Sequence, residues 1–232
     1  MKNDEWKIFH FSFHIFHFSF NTCEERSPAS CPLITMSIEI EKKYRLTKKQ
    51  QEEVLQRLPR IGAKLRGEDF EVNTIYTGET LDLERSILRL RRVGNRGILA
   101  YKERFPSSSA IKRQREDETG LDDPNAMELI LDALGFTPAL VYEKRRETWR
   151  LGKTEIVVDE LPFGLFMEIE GPENDIQDVE SKLAIKRLRT ETATYPQLTL
   201  KHGIDYGGVV ESRFPEPRKE KAARPPGSKA AS

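Results

Sequence analysis

The chain has 232 residues, enough for one ordinary domain with tails. One third of it is charged, 38 Lys and Arg against 38 Asp and Glu, and so neutral a total excludes a nucleic-acid binder working through a uniformly basic surface. No uncharged apolar run reaches the ~18 residues of a membrane span, and the only cysteines, Cys23 and Cys31, precede the first good strand, so a disulfide framework is not expected and a reducing cytoplasm is the plain reading.

Residues 1–35 contain the near-repeat "FHFSFHIFHFSF". A signal peptide needs a basic start and a continuous apolar stretch, and here Asp4 and Glu5 precede an interrupted one. His10, His14 and His17 have metal-ligand chemistry, but nothing beside them fixes a site. This segment reads as an unstructured leader, with Met36 as the start of the fold.

"SIEIEKKYRL", residues 37–46, alternates with a period of two. Glu39, Glu41, Lys43 and Arg45 share one side, while Ile38, Ile40, Tyr44 and Leu46 share the other, with Lys42 intruding. Thr47 then caps a helix, with Gln50 completing a capping box, and Pro59 and Gly62 end it. Short strands follow: "EVNTIYTG", "SILRLRRV", "GILAYKERF" and "AIKRQREDE", separated by turn signals such as "GNRG" and "PSSS". A second helix is announced by Asp122 or Asp123 as cap, Pro124 in the first turn and Gly135 past the end. "ALVYEKRRETWRL", "TEIVVDEL" and "GLFMEIEG" are strands again, and "DIQDVESKLA" is a third helix. The fold region is 36–210; residues 211–232, rich in Pro, Lys and Ala, read as a disordered tail. The class is α+β, mainly antiparallel β.

The charges recur in phase along these strands. Arg89 and Arg91 share a face, as do Lys102 and Arg104; Lys112, Gln114, Glu116 and Glu118; Lys144 and Arg146; and Glu168 and Glu170, while Asp159 opposes Val158. One such strand is most simply the wet face of an antiparallel sheet. The set argues otherwise, because signs are segregated by strand, whereas a solvated face intersperses them. The apolar faces also need cover, which three amphipathic helices can give. A barrel with helices outside satisfies both requirements. Charges lining a packed interior would cost several kcal/mol per unpaired ion, so the interior must be a hydrated tunnel shared with a polyanion and metal. Basic walls suit phosphate oxygens, and clustered carboxylates suit Mg2+ or Mn2+.

"IEIEKK" carries a Glu-x-Glu-x-Lys pattern, and in order with "ILRLRR", "LAYKE", "KRQREDE", "EKRRETWRL", "VVDELPFGLFMEIEGP" and "TATYPQL" it resembles the CYTH superfamily, the triphosphate tunnel metalloenzymes. The resemblance covers residues 37–203. It implies an eight-stranded closed antiparallel barrel holding a triphosphate and one or two divalent ions. It places Glu39, Glu41, Asp159, Glu168 and Glu170 on the metal, and Lys43, Arg89, Arg91, Lys102, Lys112 and Arg146 on phosphates. Glu39, Glu41, Lys43 and Glu170 would carry the chemistry, and Glu116 and Glu118 form a further acidic pair of open role. Gln114 stands where many relatives have Arg, and Thr77 where an Asp is common, so "EVNTIYTG" is left out of the functional set.

The reaction expected is metal-dependent phosphoryl transfer on tripolyphosphate, thiamine triphosphate or a nucleoside triphosphate. Hydrolysis is favoured because it needs no base pocket. Class IV adenylyl cyclase chemistry and a non-catalytic polyphosphate-binding module are the alternatives. The partners expected are the triphosphate itself, no nucleic acid and no membrane, with a homodimer left open. Trp149 reads as a packing residue and His202 as a surface residue without a partner.

Overall fold

The structure is a computed structural model that describes residues 38–82, 84–105 and 110–215. The leader, its histidines and most of the tail lie outside the described residues. The elements are β1 (Ile38–Leu46), α1 (Lys48–Arg60), β2 (Lys64–Thr77), β3 (Ser86–Val93), β4 (Arg96–Arg104), β5 (Ile111–Leu121), α2 (Pro124–Ala133), β6 (Thr137–Leu151), β7 (Thr154–Leu161), β8 (Gly164–Glu170), α3 (Glu173–Lys182), α4 (Tyr195–His202), β9 (Ile204–Tyr206) and β10 (Val209–Ser212).

Strands β1 to β8 form a closed antiparallel barrel in the order β2-β3-β4-β5-β1-β8-β7-β6, with β2–β6 as the closing pair. That pair runs from Lys64↔Arg150 to Thr77↔Thr137 and is interrupted by two register shifts, Leu65/Gly67 and Ile75/Tyr76. Such bulges bend and twist a strand, which helps the sheet to close. β10 lies parallel to the first half of β6, Val210↔Leu140 to Ser212↔Tyr142, and β9 pairs with β10. The barrel edges are therefore paired rather than open.

Alternation decides what faces outward. Tyr44 and Leu46 of β1, Ile156 and Val158 of β7, and Met167 and Ile169 of β8 pack with Val54 and Leu58 of α1 and Ile176 and Val179 of α3. Leu131 of α2 joins Tyr76, Leu88 and Leu90 on the other side. Burial of each such side chain stabilises the fold by about 1.5–3 kcal/mol. The helix starts follow their caps. Thr47 Oγ1 accepts from the Gln50 backbone N at 3.3 Å while Gln50 Oε1 accepts from Thr47 N at 2.8 Å. Asp123, of the two aspartates considered, caps α2 through the N–H groups of Asn125 and Ala126. Trp149 packs against the α1 and α3 side of the barrel, as a core residue would. His202 is exposed but does have a partner, stacking on Phe163 at 5.7 Å.

α4 was not expected as an element, and it behaves differently from the other helices. Its Tyr195 and Leu198 pack on Ile75, Leu140, Tyr142, Leu161 and Phe166. Several of these share the inward phase of their strands, so the first turn of α4 enters one end of the barrel and closes it. Among the described residues no helix is long and apolar enough to cross a membrane.

Candidate active site

The inward phases of the strands gather most of the sequence-predicted residues into three hydrogen-bonded or ion-paired groups, around Glu39, Glu41 and Asp159, with Glu170 exposed beside them. On β1, Glu39 and Glu41 look toward β5 and β4. Lys102 Nζ donates to Glu39 Oε2 at 2.8 Å, Gln114 Nε2 reaches the same oxygen at 2.8 Å, and Lys112 Nζ lies 3.3 Å from Glu41 Oε1. Lys102 also pairs with Glu116 at 2.8 Å, and Arg89 meets Glu116 at 3.5 Å. Nearer the closed end, Lys43 Nζ is 3.0 Å from Glu168. Arg146 grips Asp159 with two bonds of 2.7 Å and reaches Glu168 at 3.0 Å. Tyr195 of α4 donates its hydroxyl to Asp159 Oδ2 at 2.7 Å, and the Lys43 ammonium sits 3.8 Å from the centre of its ring. Gln114, where an Arg was noted as missing, is thus an amide donor to a carboxylate. Glu118 is exposed.

Sequence reasoning missed part of this set. "EVNTIYTG" stands outside the expected functional set, yet its Glu71 and Asn73 are buried inside the barrel, and Glu71 contacts Lys144 at 3.1 Å, Arg91 at 3.4 Å and Arg146 at 3.9 Å. The signal was available, since Glu71, Asn73 and Ile75 alternate with Val72, Thr74 and Tyr76. Tyr195 lies within "TATYPQL", one of the segments that carry the resemblance, but its residue type alone gave it no role.

Electrostatics divide the carboxylates into two groups. Burial alone would raise Glu168, but Lys43, Arg146 and Lys144 overcome it and hold its carboxyl well below the usual range. Glu71 is depressed likewise, by Lys144, Arg146 and Arg91 against its burial. At the opposite mouth the balance reverses. Burial, together with neighbouring Glu116, pushes Glu39 up against the pull of Lys102. Glu170, facing Glu41 across the β1–β8 pair, is pushed up to about 8 by burial and then by the charges of Glu39 and Glu155. As a residue it remains exposed at the rim, so water screens part of that repulsion. Among the cations, burial and nearby Arg146 bring Lys144 down to about 8.

Both polyanion and metal find suitable chemistry here. The Nε donors of Arg89 and Arg104 are buried without a hydrogen-bond partner, and that of Arg91 has only the ion-pair contact with Glu71 at 3.4 Å. Buried donors in native proteins are normally satisfied, so these invite acceptor oxygens. Among the described residues no three acidic, cysteine or histidine side chains stand close enough to hold an ion as they lie. In donor type, however, Glu39, Glu41 and Glu170 suit a hard divalent ion. The upward shifts at Glu39 and Glu170 mark negative charge that a cation would relieve.

Comparison with known proteins agrees with this geometry. Residues 37–200 match the CYTH domain family. A Methanocaldococcus jannaschii protein provisionally named an adenylate cyclase is 27% identical over 150 residues, 63% of this chain and 83% of its own. A solved Pyrococcus horikoshii protein superposes with a TM-score of 0.59 at 23% identity, over 68% of this chain and 96% of that one. A Hippeastrum protein, provisionally an adenylyl cyclase and described as having a dominant triphosphatase activity, gives 0.54 at 17% identity, over 72% and 96%.

Proposed function

The chain belongs to the CYTH domain family, and from that premise we propose that it is a divalent-metal-dependent triphosphatase acting on a triphosphate held inside the barrel. The observation that carries this reading is the charged interior, in which Glu39 and Glu41 pair with Lys102 and Lys112 while the buried Nε donors of Arg89 and Arg104 lack a hydrogen-bond partner. A pure polyanion binder has little use for so many acids. The dominant triphosphatase activity described for the Hippeastrum protein on the same fold favours hydrolysis. The name of the M. jannaschii relative favours the second reading, cyclisation of ATP to cyclic AMP and pyrophosphate.

Glu39, Glu41 and Glu170 would hold Mg2+ or Mn2+, with Asp159 and Glu168 completing the acidic set. When bound, the ion would neutralise and polarise phosphoryl oxygens. Lys43, Arg89, Arg91, Lys102, Lys112 and Arg146 would hold the phosphates. Each cation except Arg91 and Arg89 already makes a bond of 3.3 Å or less to a carboxylate, so substrate binding is an exchange of one anionic partner for another. That exchange positions the phosphates and neutralises charge, which is most of what phosphoryl transfer asks of a protein. Burial and the charges of Glu39 and Glu155 raise the carboxyl of Glu170 to about 8 without metal; a bound cation would favour its ionised form, in which it or Glu41 would accept the proton of an attacking water.

The test is phosphate release from tripolyphosphate, ATP and thiamine triphosphate across Mg2+ and Mn2+ concentrations, with cyclic AMP measured in the same tubes. Metal-dependent phosphate release is expected. Cyclic AMP without free phosphate would establish the cyclase instead, and binding without turnover would establish the module.

A further inference from the structure

Glu71 stands in the middle of the basic half of the barrel, and nothing in the chemistry above uses it. It is 2% exposed. Its Oε2 lies 3.1 Å from Lys144 Nζ and 3.4 Å from Arg91 Nε, and its Oε1 lies 3.9 Å from Arg146 Nε. Asn73, two residues along the same face and fully buried, donates Nδ2 to Glu71 Oε2 at 3.2 Å. The carboxylate is therefore held against these cations by a buried neighbour and by the β2–β6 register, where Glu71 faces Lys144 directly. A carboxylate and a phosphate present the same thing to a guanidinium or ammonium, anionic oxygens at hydrogen-bond distance. Glu71 presents to these three cations what a phosphate group would, and it is tethered to the chain.

We propose that Glu71 is a built-in competitor of the substrate's phosphates, a specificity-determining carboxylate that loosens the tunnel's hold on an anion in proportion to the anion's charge. The proposal rests on the tunnel being a triphosphate site. Its physics is simple. A fixed negative charge repels each added charge on the ligand, and a poorly solvated interior weakens that repulsion far less than bulk water does. Three cations, Arg91, Lys144 and Arg146, are thereby partly spoken for.

Binding of pyrophosphate and of the more highly charged tripolyphosphate to wild type, Glu71→Gln and Glu71→Asp tests this by calorimetry, in magnesium buffer and again with a chelator. Glu71→Gln is expected to bind tripolyphosphate about tenfold or more tighter, which is about 1.4 kcal/mol or more. Pyrophosphate should gain less, and Glu71→Asp, which keeps the charge, should stay near wild type. Unchanged or weaker tripolyphosphate binding by Glu71→Gln overturns the proposal, as does an equal gain for both anions. Binding of tripolyphosphate to neither wild type nor Glu71→Gln overturns the tunnel reading itself. Removing the carboxylate leaves buried cations facing one another, so the melting temperature without anion should drop. Tripolyphosphate should then raise it more in Glu71→Gln than in wild type, and a drop that the anion leaves untouched counts against the competitor role.

Discussion

Glu168 and Glu170 are two residues apart on one strand and face the same cavity, yet their carboxyls shift in opposite directions. Cations surround the first and acids surround the second, so register across the barrel sets the difference. This has a pH consequence. A carboxyl raised from 4.5 to about 8 in the folded state binds its proton more tightly folded than unfolded, so its contribution to stability is present below 4.5 and is lost as pH rises to about 8. The melting temperature of metal-free protein should fall across that window. Glu170→Gln should flatten the fall, and a slope unchanged by the substitution would remove Glu170 as its source. The pair Glu39→Gln with Glu41→Gln should retain the fold by circular dichroism. It should lose metal-dependent turnover by more than the ~10- to 100-fold that losing an outer partner of a metal ligand costs; unfolding instead would give the pair a structural role. At this scale much was legible, because period-two alternation in "IEIEKKYRL" or "SILRLRRV" states which side chains share a face. What alternation could not state is the partner. Nothing in the sequence said that Arg146 would close on Asp159, or that Glu71 would face Lys144, since those neighbours are set by strand order.

Among the elements, α1 and α2 were readable from their caps, whereas α4 was not, although Thr194 and Gln197 form a capping box with Pro196 in the first turn. Its eight residues offer too short a stripe to show a buried face, and its Tyr195 packs into a barrel end that only closure creates. α2 shows how tightly a helix can approach the wall. A Cβ added at Gly97 of β4 would lie 2.8 Å from Pro124 Cβ, closer than such atoms approach in packed proteins, and 3.4 Å from Leu121 Cβ, an ordinary contact. Gly97→Ala should therefore push the start of α2 away and cost about 1–3 kcal/mol, measured by urea unfolding. Equal midpoints for the two proteins would mean that α2 yields freely.

For the whole molecule, closure was predicted from a mismatch between charged faces and the cost of burying them, and the β2–β6 pair supplies it. The additions were not foreseen, since β9 and β10 are strands of three and four residues with weak alternation. They matter to cooperativity. β6 is bonded to β2 along its length, to β7 over its second half and to β10 over part of its first half. Amides of β6 from Arg145 to Trp149 should be among the slowest to exchange with deuterium, opening only with global unfolding. Faster exchange there than in β3 would show that the barrel opens at its closing seam.

Because the first turn of α4 packs against inward-phase residues at one end of the barrel, a triphosphate held inside would enter and leave by the other. Were the chain a triphosphatase, a fragment left against the tyrosine wall would wait for the piece nearer the entrance to depart. Departure order is then dictated by architecture. The later-leaving product should inhibit competitively with respect to the triphosphate, and the earlier-leaving one should not.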